Sequence, residues 1–89
     1  MGEELEILFD SAEATLHCSK VNREEYCYLR LNEKLIPKRA LRRIEEKIRD
    51  IGFTFADVWE DTVYYRKPIT SPREKREIKE LARLLEKMF

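Results

Sequence analysis

The stretch from residue 53 to residue 67, FTFADVWEDTVYYRK, holds five of the nine aromatic residues of the chain. Two strand-like runs, FTFADVW and TVYYRK, meet at the polar pair Glu60 and Asp61, and helical patterns flank them on both sides. This arrangement predicts a β-hairpin. Because no other stretch offers as much large apolar area per residue, we expect the hydrophobic core to pack on this hairpin.

A second hairpin is predicted around a two-residue turn at Asn22 and Arg23. With this turn, one face carries the opposed pairs Ala14–Leu31, Leu16–Leu29 and Cys18–Cys27. The other face carries Thr15–Arg30, His17–Tyr28, Ser19–Tyr26 and Val21–Glu24. A single register separates apolar from polar residues on both strands, and cross-strand pairs of these types stabilise a sheet.

Residues 4–10 alternate between acidic and apolar side chains, which indicates a half-buried strand, although Leu8 breaks the alternation. A helix is the competing interpretation, because Leu5, Leu8 and Leu16 share one helical stripe with Phe9 and Ala12. If residues 11–20 are helical, the element order becomes β-α-β-α-β-β-α, the order of several small nucleic-acid-binding folds.

Two helices are predicted, over residues 37–51 and 71–89. In the first helix, Leu41, Ile44, Ile48 and Ile51 recur at steps of three and four. Gly52 then supplies a left-handed helix stop. In the second, Ser71 and Pro72 are a favourable helix start.

The sequence therefore predicts a single α+β domain over residues 1–89, in the order β-β-β-α-β-β-α. We expect a two-layer sandwich, with two helices packed on one face of a mostly antiparallel five-stranded sheet.

The two cysteines, Cys18 and Cys27, oppose each other in the predicted register at a position without cross-strand hydrogen bonds. Such a site permits a disulfide bond. Two inert core thiols are nevertheless the favoured interpretation, as expected for a reducing cytosol, and the disulfide is the alternative, expected for a hyperthermophile. His17 points to the other face of the strand, so no zinc site is predicted.

Four basic residues, Lys38, Arg39, Arg42 and Arg43, crowd the first half of the helix at 37–51. The helix dipole already makes that end positive, so the arrangement is locally unfavourable. It predicts an anion-binding or nucleic-acid-binding surface. The alternative is internal charge complementarity, because the chain tracing brings Asp10, Glu13, Glu60 and Asp61 to the same end of the sheet.

A second basic cluster surrounds the start of the last helix: Arg66, Lys67, Arg73, Lys75 and Arg76. Because the helices are predicted to run antiparallel, the two clusters lie at opposite ends of one subunit. We expect a homodimer, which would join them. A further candidate surface, made of His17, Tyr26, Tyr28 and Arg30, lies on the sheet face away from the cysteines. Such aromatic and cationic surfaces stack unpaired bases or form dimer interfaces.

Composition indicates the general character and location of the protein. Lys plus Arg and Asp plus Glu both number 18, so the net charge is zero. Charged residues make up 40% of the chain, Gln is absent and Gly occurs only twice, a profile typical of thermophilic proteins. The sequence shows neither a signal peptide nor a membrane-spanning apolar run, so a cytoplasmic location is expected.

We thus expect a small non-enzymatic binding module without cofactor or metal, whose ligand is DNA, RNA or another anion. A protein-interaction module using the aromatic sheet face is the alternative. A metal-dependent hydrolase using Asp10 or Asp57 is a distant third, because no catalytic motif stands out.

Overall fold

The computed structural model describes residues 4–89, which fold into one sheet and one layer of helices. The strands are β1 (Glu4–Asp10), β2 (Ala14–Val21), β3 (Glu24–Asn32), β4 (Thr54–Trp59) and β5 (Thr62–Ile69). The helices are α1 (Lys38–Ile51) and α2 (Pro72–Met88), and a 3₁₀ turn at Glu33–Leu35 precedes α1. The predicted order β-β-β-α-β-β-α is confirmed, and so is the α+β class.

All neighbouring strands are antiparallel, and their spatial order is β1-β2-β3-β5-β4. The pairing of β2 with β3 is the predicted register, including Leu16 opposite Leu29 and Cys18 opposite Cys27. Residues 14–21 form a strand, so the alternative order with a helix over residues 11–20 is wrong. The reason is the two-sided sorting of side chains, which only the strand pairing provides.

The turn between β2 and β3 is formed by Asn22 and Arg23, whose φ angles are 52° and 70°. Positive φ at both central residues matches the right-handed twist of a two-residue hairpin. Asn tolerates this conformation well, whereas Arg adopts it at a cost because its Cβ crowds the backbone.

A β-bulge between Ile7 and Phe9 explains why Leu8 interrupts the alternation in β1. The extra residue shifts the strand register, so that Leu8 and Phe9 both pack against the core. Phe9 also contacts Phe89 at the end of α2, with ring centroids 6.4 Å apart. The bulge therefore helps to attach β1 to the second helix.

The core lies between the helices and the face of the sheet that carries the cysteines. The helices contribute Ile44, Ile48 and Ile51 of the predicted stripe on α1, and Ile78, Leu81, Ala82 and Leu85 from α2. The sheet contributes Ala14, Leu16, Cys18, Cys27, Leu29 and Leu31. Cys18 and Cys27 are joined in a disulfide bond inside this core, so the favoured interpretation as free thiols is wrong, because the register brings the two side chains into direct opposition.

The expectation that the aromatic hairpin anchors the core is wrong for its first strand. Every residue of β4 is exposed, and Phe55, Val58 and Trp59 have exposed fractions of 61%, 51% and 71%. Two helices packed about 10 Å apart cover roughly 20 Å, whereas five strands spaced about 4.8 Å apart span roughly 24 Å. Because α2 lies against β1, the strand left uncovered is β4.

Candidate nucleic-acid interface

The positive charge of the molecule is concentrated in its helix layer. Helix α1 carries six basic and three acidic residues, and α2 carries six basic and four acidic residues. The other residues in the described range 4–89 include six basic and ten acidic ones. The helices thus have an excess of five positive charges, while the rest of the described chain has an excess of four negative charges. An anionic ligand is attracted to the helix side of the molecule.

The basic residues at the start of α1 are open to solvent. Lys38, Arg39, Arg42 and Arg43 are exposed, and the first turn of α1 contains no acidic residue. Within residues 4–89, none of the four forms a salt bridge.

The acidic turns do lie at this end of the sheet, as the tracing predicts. The backbone oxygen of Asp61 accepts a hydrogen bond from the amide of Glu33, 2.9 Å away, just before α1. No side chain in this turn forms an ion pair with α1 in the described part of the chain. The acidic turns therefore attract the basic residues of α1 only over longer distances, and solvent and salt screen this attraction.

The four basic residues divide between two sides of α1. At 3.6 residues per turn, Arg39 and Arg43 share the side of Lys47, and Lys38 and Arg42 share the opposite side with Glu45. The first side faces α2, because Arg43 and Lys47 line a groove with residues of that helix. The second side faces β5, where Glu45 lies beside Tyr65.

The groove between the two helices, called here the interhelical groove, has a volume of about 490 Å³. It is lined by Arg43, Glu46, Lys47, Asp50, Glu80, Arg83, Leu84 and Lys87. Because α1 and α2 run antiparallel, Arg43 lies at the same end of the groove as Arg83 and Lys87. We call this set, with Arg39 one turn earlier on α1, the basic end of the groove.

The other end of the interhelical groove carries a net negative charge, because Lys47 is outnumbered by Glu46, Asp50 and Glu80. There, Lys47 Nζ lies 3.9 Å from a carboxylate oxygen of Glu80, and Asp50 adds a further negative charge. An extended anion therefore has its most favourable position at the basic end.

Sequence reasoning did not identify Arg83 and Lys87 as site residues. The available signal was their spacing of four residues, which places them together on the outer face of α2. Combined with the predicted antiparallel helices, this spacing puts them beside the start of α1. Neither residue forms a salt bridge within the described range.

The structure does not bring the second predicted basic cluster together. Arg66 lies opposite Tyr28 on the sheet face away from the helices. Lys67 points into the helix layer, is 9% exposed, and donates a hydrogen bond of 2.7 Å to Glu74 Oε2. Arg73 and Arg76 remain exposed on the first turns of α2. The cluster thus provides two available cations on the helix side.

Two lysines of this region have structural roles. The Glu74 carboxylate accepts hydrogen bonds from Lys67 and from the side chain and amide of Thr70. These bonds, that of Lys67 above all, lower the pKa of Glu74 to about 2. Lys75 Nζ bridges Glu25 at 2.6 Å and Glu6 at 2.9 Å. Desolvation opposes the charge of Lys75, but the hydrogen bonds to both carboxylates outweigh it and raise its pKa. These contacts join α2 to β5, β3 and β1.

The predicted aromatic surface is on the face that the helices leave open. His17 stacks on Tyr28 with ring centroids 5.2 Å apart. Arg30 is fixed by its neighbours, donating to Thr15 Oγ1 from Nε at 3.2 Å and from Nη2 at 2.8 Å. Tyr26 is half-buried on the same face. We call this surface the open sheet face.

The candidate acids for a hydrolase are separated. Asp10 lies on β1 and Asp57 on β4, which are the two edge strands of the sheet. Asp57 Oδ1 accepts a hydrogen bond from the amide of Val58 at 2.8 Å. In residues 4–89, no group of three or more His, Cys, Asp or Glu side chains is arranged to hold a metal ion.

Comparison with protein-family models, with curated proteins and with solved structures gives no match to this chain. Among the described residues, no helix has the length and apolar character needed to span a membrane. The fold and the charge distribution are therefore the basis for assigning a function.

Proposed function

We propose that this protein is a non-enzymatic binding module that binds DNA or RNA through the basic end of the interhelical groove. The residues that contact the phosphates in this proposal are Arg39, Arg43, Arg83 and Lys87. The observation that carries it is the convergence of three groove-lining cations from two helices, Arg43, Arg83 and Lys87, none of them in a salt bridge within residues 4–89. Arg39 lies one turn earlier on α1 and is also free of salt bridges in this range.

The physical basis is the release of counterions from the nucleic acid. Each arginine or lysine that neutralises a phosphate frees condensed cations, and this gain in entropy drives binding. The positive end of the α1 dipole is offset at this end of the groove by the negative end of the antiparallel α2 dipole, so the attraction comes from the basic side chains. Lys38 and Arg42 lie on the other side of α1 and add to the attraction of the ligand without lining the groove.

A gel-shift series tests this proposal with single-stranded and duplex forms of both DNA and RNA. At about 50 mM salt, where backbone contacts are strong, the wild type should retard at least one of the four. The double variant Arg43→Glu/Arg83→Glu should abolish binding, because it replaces two contacts with repulsion. Both side chains lie on the outer surfaces of the helices, so the fold should be retained.

The matched control is Arg73→Glu/Arg76→Glu at the opposite end of the helix layer. It changes the net charge by the same amount and also replaces exposed arginines on a helix. The proposal predicts that this control keeps most of the affinity. Equal loss in both variants would contradict a site at the basic end, and no retardation by the wild type would reject nucleic-acid binding altogether.

The alternative function is a protein-interaction module that uses the open sheet face. Tyrosine, tryptophan and arginine are among the residues enriched in protein interfaces, and this face contains all three types, the tryptophan being Trp59, opposite Thr62 of β5. In both proposals the protein is cytoplasmic, of thermophilic character and homodimeric. The charged composition supports the thermophilic character, and a disulfide bond in a cytoplasmic protein is most often found in hyperthermophiles.

A further inference from the structure

Two tyrosines and two arginines form a square at the centre of the open sheet face. In the register between β3 and β5, Tyr28 is opposite Arg66, and Arg30 is opposite Tyr64. Along each strand the two residues are two positions apart, so they share this face. Each tyrosine therefore has an arginine as its neighbour both along the strand and across it. We call these four residues the Tyr/Arg square.

Half of the square is held in place by other side chains. Arg30 makes two hydrogen bonds to Thr15 and a third, of 3.0 Å, from Nη2 to the backbone oxygen of Ser11. Tyr28 is stacked on His17. Side chains fixed before association lose less conformational entropy when a partner binds, so this surface is preorganised for contact.

Large apolar side chains flank the square on the same face. On β1, Leu5 is opposite Ser19 and Ile7 is opposite His17, and their exposed fractions are 60% and 61%. At the other edge, Trp59 is opposite Thr62 and is 71% exposed. Ile7 lies beside His17, which stacks on Tyr28, so apolar and aromatic groups run continuously from β1 to the square. A contiguous apolar surface of this kind indicates a protein interface.

We propose that the open sheet face binds the open sheet face of a second copy of this chain. The Tyr/Arg square is self-complementary when two copies are related by a two-fold axis that lies in the plane of the interface. Whether the axis runs along the strands or across them, every tyrosine of one copy meets an arginine of the other. The result is four cation–π contacts, each stronger when desolvated than at an exposed site.

The size of the face agrees with such a dimer. Five strands spaced about 4.8 Å apart, with roughly six residues of about 3.4 Å each, cover roughly 500 Å² in projection. Because side chains project from the sheet, the accessible surface is larger than this projected area and approaches the roughly 600–1,000 Å² that each partner buries in a standard interface. Two sheets packed in this way lie about 10 Å apart.

The dimer places the two helix layers on its outer sides. This inference does not depend on the proposed nucleic-acid binding, because it rests only on the open sheet face. If the proposed function also holds, the two basic ends point away from each other. The dimer then bridges two segments of nucleic acid and does not join its basic clusters into one stripe.

Sedimentation equilibrium of the whole chain, from about 1 μM to about 1 mM, tests the proposal without any nucleic acid. The wild type should reach the mass of a dimer. The variant Tyr28→Arg/Tyr64→Arg places four arginines against four arginines. It should therefore weaken association at least about 100-fold, since like charges across an interface cost several kcal/mol. Circular dichroism checks that these solvent-facing substitutions leave the fold intact.

A second variant distinguishes the square from general charge repulsion. Arg30→Tyr/Arg66→Tyr gives a face with four tyrosines, and mixing it with Tyr28→Arg/Tyr64→Arg should restore a dimer containing one chain of each. The matched control Val58→Lys alters the exposed edge strand β4 and should leave the dimer unchanged. The proposal is overturned if the wild type is monomeric or if the Tyr28→Arg/Tyr64→Arg variant still dimerises. It is also overturned if the mixture of the two variants stays monomeric, or if the Val58→Lys control dissociates.

Discussion

The disulfide between Cys18 and Cys27 should account for a large part of the stability of this small domain. It closes a loop with a sequence separation of 9 residues. The chain-entropy relation for such a loop gives a loss of about 8.7 cal/mol/K in the unfolded state, or about 2.6 kcal/mol at 25 °C. With about 2.1 cal/mol/K of unfolding entropy per residue, an 89-residue chain should lose about 14 °C in Tm on reduction.

The assay is thermal unfolding followed by circular dichroism, with and without a phosphine reductant. Because Cys18 and Cys27 are 1% and 0% exposed, the reductant should be added in denaturant before refolding. The variant Cys18→Ala/Cys27→Ala is the control, and its Tm should not respond to the reductant. A difference below about 3 °C between oxidised and reduced wild type would refute the reasoning, because it would mean that the unfolded chain already keeps the hairpin closed.

Three further predictions concern local features of the fold. The low pKa of Glu74, caused by Lys67 and Thr70, stabilises the protein above the unfolded value of 4.5, and this stabilisation is lost as the pH falls towards about 2. The variant Glu74→Gln should therefore have a lower free energy of unfolding than the wild type at neutral pH, and it should lose less of that free energy as the pH falls from 4.5 towards about 2. The exposed control Glu86→Gln should follow the wild type in acid unfolding. Arg23→Gly should raise the free energy of unfolding by about 0.5–1 kcal/mol in urea titrations, since glycine adopts the positive φ of 70° without crowding, and a destabilised variant would contradict the assigned turn. Gly52→Ala should lower the free energy of unfolding by about 1–2 kcal/mol, because φ is 103° there and a Cβ crowds the backbone in that conformation; unchanged stability would exclude this helix stop.

The parts of the fold set by neighbouring segments were predictable from sequence. The β2–β3 register follows from a short turn and from side chains that sort on both strands at once, as in the pairs Leu16–Leu29 and Cys18–Cys27. The helix stop at Gly52 was predictable for the same reason, because the amides of Gly52 and Phe53 both bond to Ile48 within one turn. Local constraints of this kind need no knowledge of the tertiary structure.

The order of the strands was not predictable, and two expectations failed for that reason. Aromatic residues in β4 suggested a core strand, but the pairing of β3 with β5 places β4 at the edge, beyond the reach of two helices. The same pairing puts Lys67 opposite Cys27 on the helix-covered face, where it meets Glu74. In the sequence alone, this lysine is indistinguishable from a solvent-exposed one.

The candidate site was predictable on one helix only. The conflict between basic residues and the dipole of α1 identified Arg39 and Arg43. Arg83 and Lys87 carry no such conflict, because cations near the end of a helix are favoured by its dipole. Their role depends on the position of α2 beside α1, which is a property of the packed helices.

The salt dependence of nucleic-acid affinity tests the central claim most directly. The measurement is a fluorescence anisotropy titration with whichever of the four nucleic acids binds best, repeated between about 50 and 200 mM salt. If Arg39, Arg43, Arg83 and Lys87 each neutralise one phosphate, the log–log slope should be about −2.8 for a single strand and about −3.6 for a duplex. A slope near zero, or no binding at the lowest salt, would contradict the assignment of the basic end of the interhelical groove as a nucleic-acid site.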